Sequence, residues 1–364
     1  MPDEIAERTR RVLGRCRELG FALAGVADPR PSDHAEAVRR WFAEGRHGSM
    51  AWLADEVEAR LDPARLLSGV RSVICVADRY AAPAMPVADL GSPDRPRGAI
   101  ARYARGGDYH EVIKKRLKRL VRELREEFPG ERFRHACDLL PLLERELAAR
   151  AGLGAIGKHT LLIEPGAGSW VLLGEVLTTL PLAIDPASSP GPRRDPCGTC
   201  TRCIDACPTR AITPFSVDAS RCLAYTTIEH RGEVPEEFHA PTGAWLFGCD
   251  VCQEVCPHNL PTRRKRREAS VRPDYAERTA HLDLLEILGW SEEDRRRATR
   301  ASPLRRCLLA SFKRNALICL GNALAGRGDF DAIALRERVA AIARDPAEDP
   351  LVRTTADAVL VRLG

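Results

Sequence analysis

DPCGTCTRCIDACPT (residues 195–209), RCLAYTTIEHRG (221–232) and GCDVCQEVCPHN (248–259) together carry eight of the chain's 13 cysteines. Cys197, Cys200, Cys203 and Cys207 follow C-x2-C-x2-C-x3-C-P, the bacterial spacing for [4Fe–4S] clusters. Two-residue gaps let one loop wrap three corners of a cube with its backbone N–H groups toward the sulfides, and the fourth cysteine of such a run ligates the other cluster. Cys222, Cys249, Cys252 and Cys256 complete the donors for two cubanes. The spacing groups Cys197, Cys200, Cys203 and Cys256 as cluster 1, and Cys207, Cys222, Cys249 and Cys252 as cluster 2. Structural zinc wants its ligands in two pairs, not a triple followed by Cys-Pro. Disulfides suit a secreted chain, and nothing else here looks secreted.

Outward from this block, DPASSPGPRRDP (185–196) reads as a linker on its N-terminal side, and the Pro-flanked RRKRR of Arg263–Arg267 as one on the other. We therefore expect three domains: 1–184, 185–262 and 263–364. A length of 364 residues and a hydrophobic content of 44% support that many ordinary cores. No window approaches the ~18 apolar residues of a membrane span. The N-terminus is an amphipathic helix pattern without a signal peptide's apolar region, so a cytoplasmic protein with no membrane association is expected. Net charge is only +5, which makes its distribution more informative than its total. KKRLKRLVRELR (114–125) reads as the solvated face of a helix burying Ile113, Leu117, Leu120, Val121 and Leu124. RRKRR has no apolar periodicity and is the better phosphate-backbone contact.

Residues 1–184 alternate helical and β-type patterns, an α/β domain. Ile5–Leu19 is helical, FALAGVAD and VRSVICVAD are strands, and 81–98 is a Pro-, Gly- and Asp-rich loop. ERFRHACD is a strand ending on Asp138, and open α/β sheets place ligand-binding groups at strand ends. Asp138 could equally be a helix N-cap ahead of Pro141. GLGAIGKHT (152–160) formally satisfies G-x-G-x-x-G, but a helix precedes it and β-type runs follow, the reverse of a dinucleotide site. A tight glycine turn that brings backbone close to a large planar ligand fits better. Asp108-Tyr109-His110 opens D-x-H, yet Ile113 stands where D-x-H-x-x-G needs glycine, so His110 is not read as a cobalt ligand. Beyond Tyr275 the periodicity is helical and resembles a HEAT-like pair of repeats.

RYARGGDYHEVIKKRL, the region from Asp138 through PLLERELAARAGLGAIGKHTLLI, the cysteine block with its TIEHRG run, and SPLRRCLLASFKRNALICLGN together resemble the tRNA epoxyqueuosine reductases. These stretches lie in that family's order over about three quarters of the chain. The resemblance implies deoxygenation of epoxyqueuosine at the wobble position of tRNA anticodons by cobalamin, with electrons from two [4Fe–4S] clusters and an external low-potential donor. It implies a cobalamin-binding N-terminal domain, a ferredoxin-like cluster domain and a helical tail, in a monomer.

The same resemblance matches Asp138 to the family's acid, whose proton would go to the opening epoxide; burial against Leu139 and Leu140 is expected to raise its pKa. Arg60 and Arg102 are candidates for the corrin's amide and phosphate arms, with surface salt bridges as the alternative. Backbone from Gly154 through Lys158 to Thr160 is the expected floor, and Leu223, Asp250 and Val251, beside cluster 2, are expected to touch the corrin. Ala155 and His159 depart from the family's usual Trp and Asn, and Cys137, Leu139 and Leu140 from smaller or more polar residues. The anticodon arm is expected on Arg263–Arg267 and the tail. Competing readings are a reductive dehalogenase, which would want an export signal and lacks such a tail, and an electron-transfer module without corrin.

Overall fold

The computed structural model describes residues 2–81, 95–184, 195–260, 271–325 and 330–364. The RRKRR segment, most of the 81–98 loop and most of the 185–196 linker lie outside the described residues. After α1 (Pro2–Glu18) come β1 (Leu23–Ala27), α2 (Ala35–Ala43), β2 (Ser72–Arg79), β3 (Arg97–Ile100), α3 (Tyr109–Glu127), β4 (Phe133–Ala136), α4 (Glu144–Arg150) and β5 (Val171–Thr178). The main sheet has the order β1-β2-β5-β4, and every pairing in it is antiparallel. The alternation of helices and strands is thus as read, but strand-end logic for open parallel sheets does not apply. β2 and most of β5 are buried on both faces, which is why their runs are mainly apolar, without strict alternation, and carry no signal of strand direction.

α3 covers one face of the sheet. Ile113, Leu117, Leu120, Val121 and Leu124 are all buried there, while Asp108 caps the helix by accepting the N–H of His110 at 3.1 Å. α4 packs on the opposite face through Leu147, Ala148 and Ala149. The sheet therefore fixes two neighbouring points: the start of α3, and the loop between β4 and α4 where Asp138 lies.

A second sheet ties the chain's parts together. β3 begins in the last two residues of the stretch read as loop and runs on into residues read as a turn, and it pairs with β6 (Trp245–Phe247) and β7 (His281–Asp283). Gly98 is required there, since a Cβ would lie 2.6 Å from that of Leu246. α5 (Leu223–Ile228), on the cysteine block, and three tail helices, α6 (Leu309–Leu324), α7 (Phe330–Arg344) and α8 (Pro350–Leu363), complete the structure. Ile100, Phe247, Leu284, Phe312, Leu320 and Val359 share one core, so the tail is packed on the rest of the molecule. Arg314 of α6 is fully buried and donates to the carbonyls of Thr226, His230 and Gly232 at 2.6–2.9 Å. That guanidinium holds the TIEHRG run in place. Among the described residues no helix is long and apolar enough to cross a membrane.

Candidate active site and cluster ligands

The eight cysteines converge in two sets. Burial raises the Cys203 thiol, and Cys197, Cys256 and Cys200 add to that by proximity. Cys256 likewise senses Cys197 and Cys200. In the second set Cys222 senses Cys207, Cys249 senses Cys222 and Cys207, and Cys252 senses Cys249 and Cys222. Cys252 also senses Cys203 across the two sets.

Backbone N–H groups point at the sulfurs, from Lys158 to Cys197 at 3.3 Å and from Ala211 to Cys207 at 3.2 Å. Such donors suit thiolates and cluster sulfurs. An all-thiol donor set met by backbone N–H groups fits iron–sulfur clusters.

A cleft of about 2190 Å³ opens beside the second set. It is roughly twice the upper end of ordinary small-ligand sites, which run to about 1,000 Å³. Cys207, Cys222, Cys249 and Cys252 all line it, and no thiol of the first set does. Leu223, Asp250, Val251, Thr160, Arg60 and Asp138 line it too. Arg60 Nε is buried without a partner in this wall, as is Nε2 of His159. A large ligand carrying amide or phosphate groups would satisfy such atoms, so the residues present fit a corrin.

Three expected contacts lie elsewhere. Arg102 is outside the cleft lining; its guanidinium is nearly buried against Glu254 at 3.2 Å and over the Trp170 ring at 5.2 Å, while its backbone N–H donates to Asp250 at 2.7 Å. Lys158 turns away to the carbonyls of Gly198 and Cys200, at 2.7 and 3.1 Å. At Gly154 a Cβ would lie 2.4 Å from the Ile163 carbonyl, so the glycine serves the ribbon formed by Ala155–Ile156 and Leu162–Ile163, and not a ligand. Sequence places all three near the right loops but does not encode which way they face.

Asp138 adopts φ +54°, left-handed backbone that Asp tolerates better than most residues. Its carboxylate accepts the hydroxyl of Tyr109, and Nε2 of His110 lies 3.6 Å away. The burial expected around it is missing: the side chain is 45% exposed and Leu139 is 66% exposed. The protein instead supplies polar partners, both from the first turn of α3. Tyr109 and His110 escaped the sequence reading because DYH was weighed only as a cobalt motif. His159 is buried and pushed down to about 4, mainly by desolvation.

A curated relative from Xanthomonas campestris pv. campestris, named epoxyqueuosine reductase, is 40% identical over 340 residues, covering 92% of this chain and 91% of its own. The chain belongs to the epoxyqueuosine reductase family. An epoxyqueuosine reductase from a Synechococcus species is 41% identical, with 86% of this chain and 95% of that one covered. Residues 60–138 match the family described as "Epoxyqueuosine reductase QueG, DUF1730", and 196–259 match a 4Fe-4S double cluster binding domain.

A crystal structure of selenomethionine-labelled epoxyqueuosine reductase superposes with a TM-score of 0.84 at 27% identity, covering 98% of this chain and 91% of that one. Another epoxyqueuosine reductase, solved with an epoxyqueuosine-modified tRNA stem loop, gives 0.84 at 25% identity, with 98% and 90% covered. A third, from Bacillus subtilis, has its catalytic aspartate loop swung out of the active site; it gives 0.83 at 27% identity, with 98% and 91% covered. The epoxyqueuosine reductase fold thus extends over almost the whole chain, helical tail included.

Proposed function

We propose that this chain reduces epoxyqueuosine to queuosine at the wobble position of tRNA anticodons, using cobalamin and two [4Fe–4S] clusters, with Asp138 as proton donor. The observation that carries this reading is the composition of one cleft wall, where Asp138 and all four thiols of the second set face the same large space. Bound there, cobalamin would supply the low-valent reductant that opens a strained C–O bond, and the clusters would deliver its electrons singly.

Cys197, Cys200, Cys203 and Cys256 would hold the outer cluster, and Cys207, Cys222, Cys249 and Cys252 the one beside the cleft. Arg60, Thr160, Leu223, Asp250 and Val251 would hold the corrin. Asp138 would protonate the departing oxygen, oriented by the Tyr109 hydroxyl. His110 is kept to a supporting position by its Nδ1, 2.8 Å from Asp108. The same reading divides the chain at 184 and 262 into corrin-binding, cluster and HEAT-like units, in a cytoplasmic monomer that draws electrons from an external low-potential donor.

The test is anaerobic incubation of the reconstituted protein and such a donor with epoxyqueuosine-bearing tRNA, followed by nucleoside mass analysis. Loss of one oxygen is the expected result. Protein loaded with both clusters and cobalamin that leaves the nucleoside unchanged would overturn the reading.

A further inference from the structure

Behind Asp138 stand two carboxyls that the proposed reaction has not used. Glu175 lies mid-strand in β5, opposite Cys75 of β2 and Ala136 of β4, and is fully buried. Neither of its oxygens meets a hydrogen-bond donor. Glu144, the first residue of α4, is half-buried and lines the cleft. Its Oε1 reaches back across the loop to accept the Asp138 N–H at 2.9 Å. The Glu144 carboxyl is within side-chain reach of both the Asp138 and the Glu175 carboxyls, and Asp138 and Glu175 also act on each other by charge.

Carboxylate oxygens facing one another with no donor between them are stable only when a proton occupies the gap, as in paired acids that cannot both ionise. The surrounding charges do not remove that need. Arg60 and Arg145 act on Glu144 by charge and Arg150 acts on Cys75, and the thiols of Cys75 and Cys137 are the other titratable neighbours. Burial raises Glu144 well above the carboxylate range and Glu175 to about 8, with like-charge neighbours adding to both.

We propose that Glu175 and Glu144 are positioning residues that hold a proton behind Asp138, pin its loop into the cleft, and return a proton to it after each transfer. This rests on Asp138 being the acid. Asp138 loses its proton to the departing oxygen and becomes a carboxylate. The proton on Glu144 then shifts to Asp138, and solvent at the half-buried edge of Glu144 restores one to the inner pair. Only O–H bonds are made and broken, and no electrons move. The N–H bond from Asp138 to Glu144 gives the same residue a second task, keeping the loop turned inward.

Two measurements test this separately from the overall reaction. In the cluster-loaded, cobalamin-free protein with isotopically labelled glutamate, infrared spectroscopy should show a protonated glutamate carboxyl at pH 7. The band should vanish in Glu175→Gln and persist in Asp138→Asn; its absence from the unsubstituted protein would overturn the proposal, whether or not the protein turns over tRNA. In the loaded enzyme, Glu175→Gln should lose turnover at pH 8 at least tenfold more than at pH 6, with KM for tRNA unchanged. A uniform loss at every pH would mark a merely structural role and reject the relay. Should Glu175→Gln fail to fold, Glu144→Gln, at a half-buried site, gives the same comparison, with Glu144→Asp expected to restore part of the high-pH rate.

Discussion

Arg314→Met is the sharpest test of how the helical tail governs the cysteine block. The substitution keeps an apolar stem of similar length but removes every donor, leaving the carbonyls of Thr226, His230 and Gly232 without the bonds now made at 2.6–2.9 Å. A buried acceptor left unsatisfied costs about 1–3 kcal/mol, so three cost roughly 3–9 kcal/mol. Against this, burial lowers the guanidinium from 12.5 to about 10, a desolvation burden of about 3 kcal/mol that the variant no longer carries. The midpoint of the first figure, about 6 kcal/mol, less that burden leaves a net loss of about 3 kcal/mol, or roughly 100-fold in local opening. A single unfolding free energy is ill-defined for a protein of several cofactors, so the assay is hydrogen exchange read by mass spectrometry on the anaerobic protein. Amides of 223–232 should lose about two decades of protection, while β2 and β5 of the main sheet keep theirs. Equal protection of 223–232 in both proteins would refute the assignment of that clamp to Arg314.

Asp138→Asn should retain iron, sulfide and cobalamin yet lose turnover, and full activity in that variant would exclude it as the acid. Tyr109→Phe removes a hydrogen bond to a carboxylate, worth about 1.5–3 kcal/mol; turnover should fall roughly 10- to 100-fold with cluster content unchanged, as steady-state kinetics and iron analysis would show. Cys222→Ser should disturb the cluster beside the cleft, and Cys200→Ser the outer one, so that only the first changes the corrin's optical spectrum. His159 titrates at about 4 in the folded protein against 6.5 when free, so the unfolded chain binds the extra proton between those values and stability falls as pH drops through that window. In hydrogen exchange, His159→Asn should flatten the loss of local opening free energy around residues 153–163 between pH 6.5 and 4 by up to about 3 kcal/mol, and an unchanged slope would show that His159 is not its source.

Different parts of this molecule were legible to different degrees. The double-cluster stretch at 196–259 could be read because ligand spacing is set by the size of a cube, which no tertiary contact alters. The buried face of α3 could be read because its five apolar positions repeat with the helical period. Sheet direction could not, since β2 and β5 are mainly apolar runs without strict alternation, and such runs look alike in parallel and antiparallel sheets. β3 is four residues beside a Pro-rich run, and its identity as a strand depends on partners nearly 150 and 180 positions away. Arg102 and Lys158 have long side chains that can swing to either side of their loops, so proximity in sequence did not decide their partners. Asp138 was found through resemblance; its hydroxyl and carboxyl neighbours come from three separate elements that only the folded sheet assembles.

Because all four thiols of the second set form part of the cleft wall, a corrin bound there, as proposed above, would have an unfinished seat until the inner cubane has been built. Maturation then has a direction, with iron and sulfide inserted first and the corrin afterwards. Cells starved of iron would accumulate a form unable to retain B12 however plentiful the vitamin, whereas cells starved of B12 would keep a form ready to be filled.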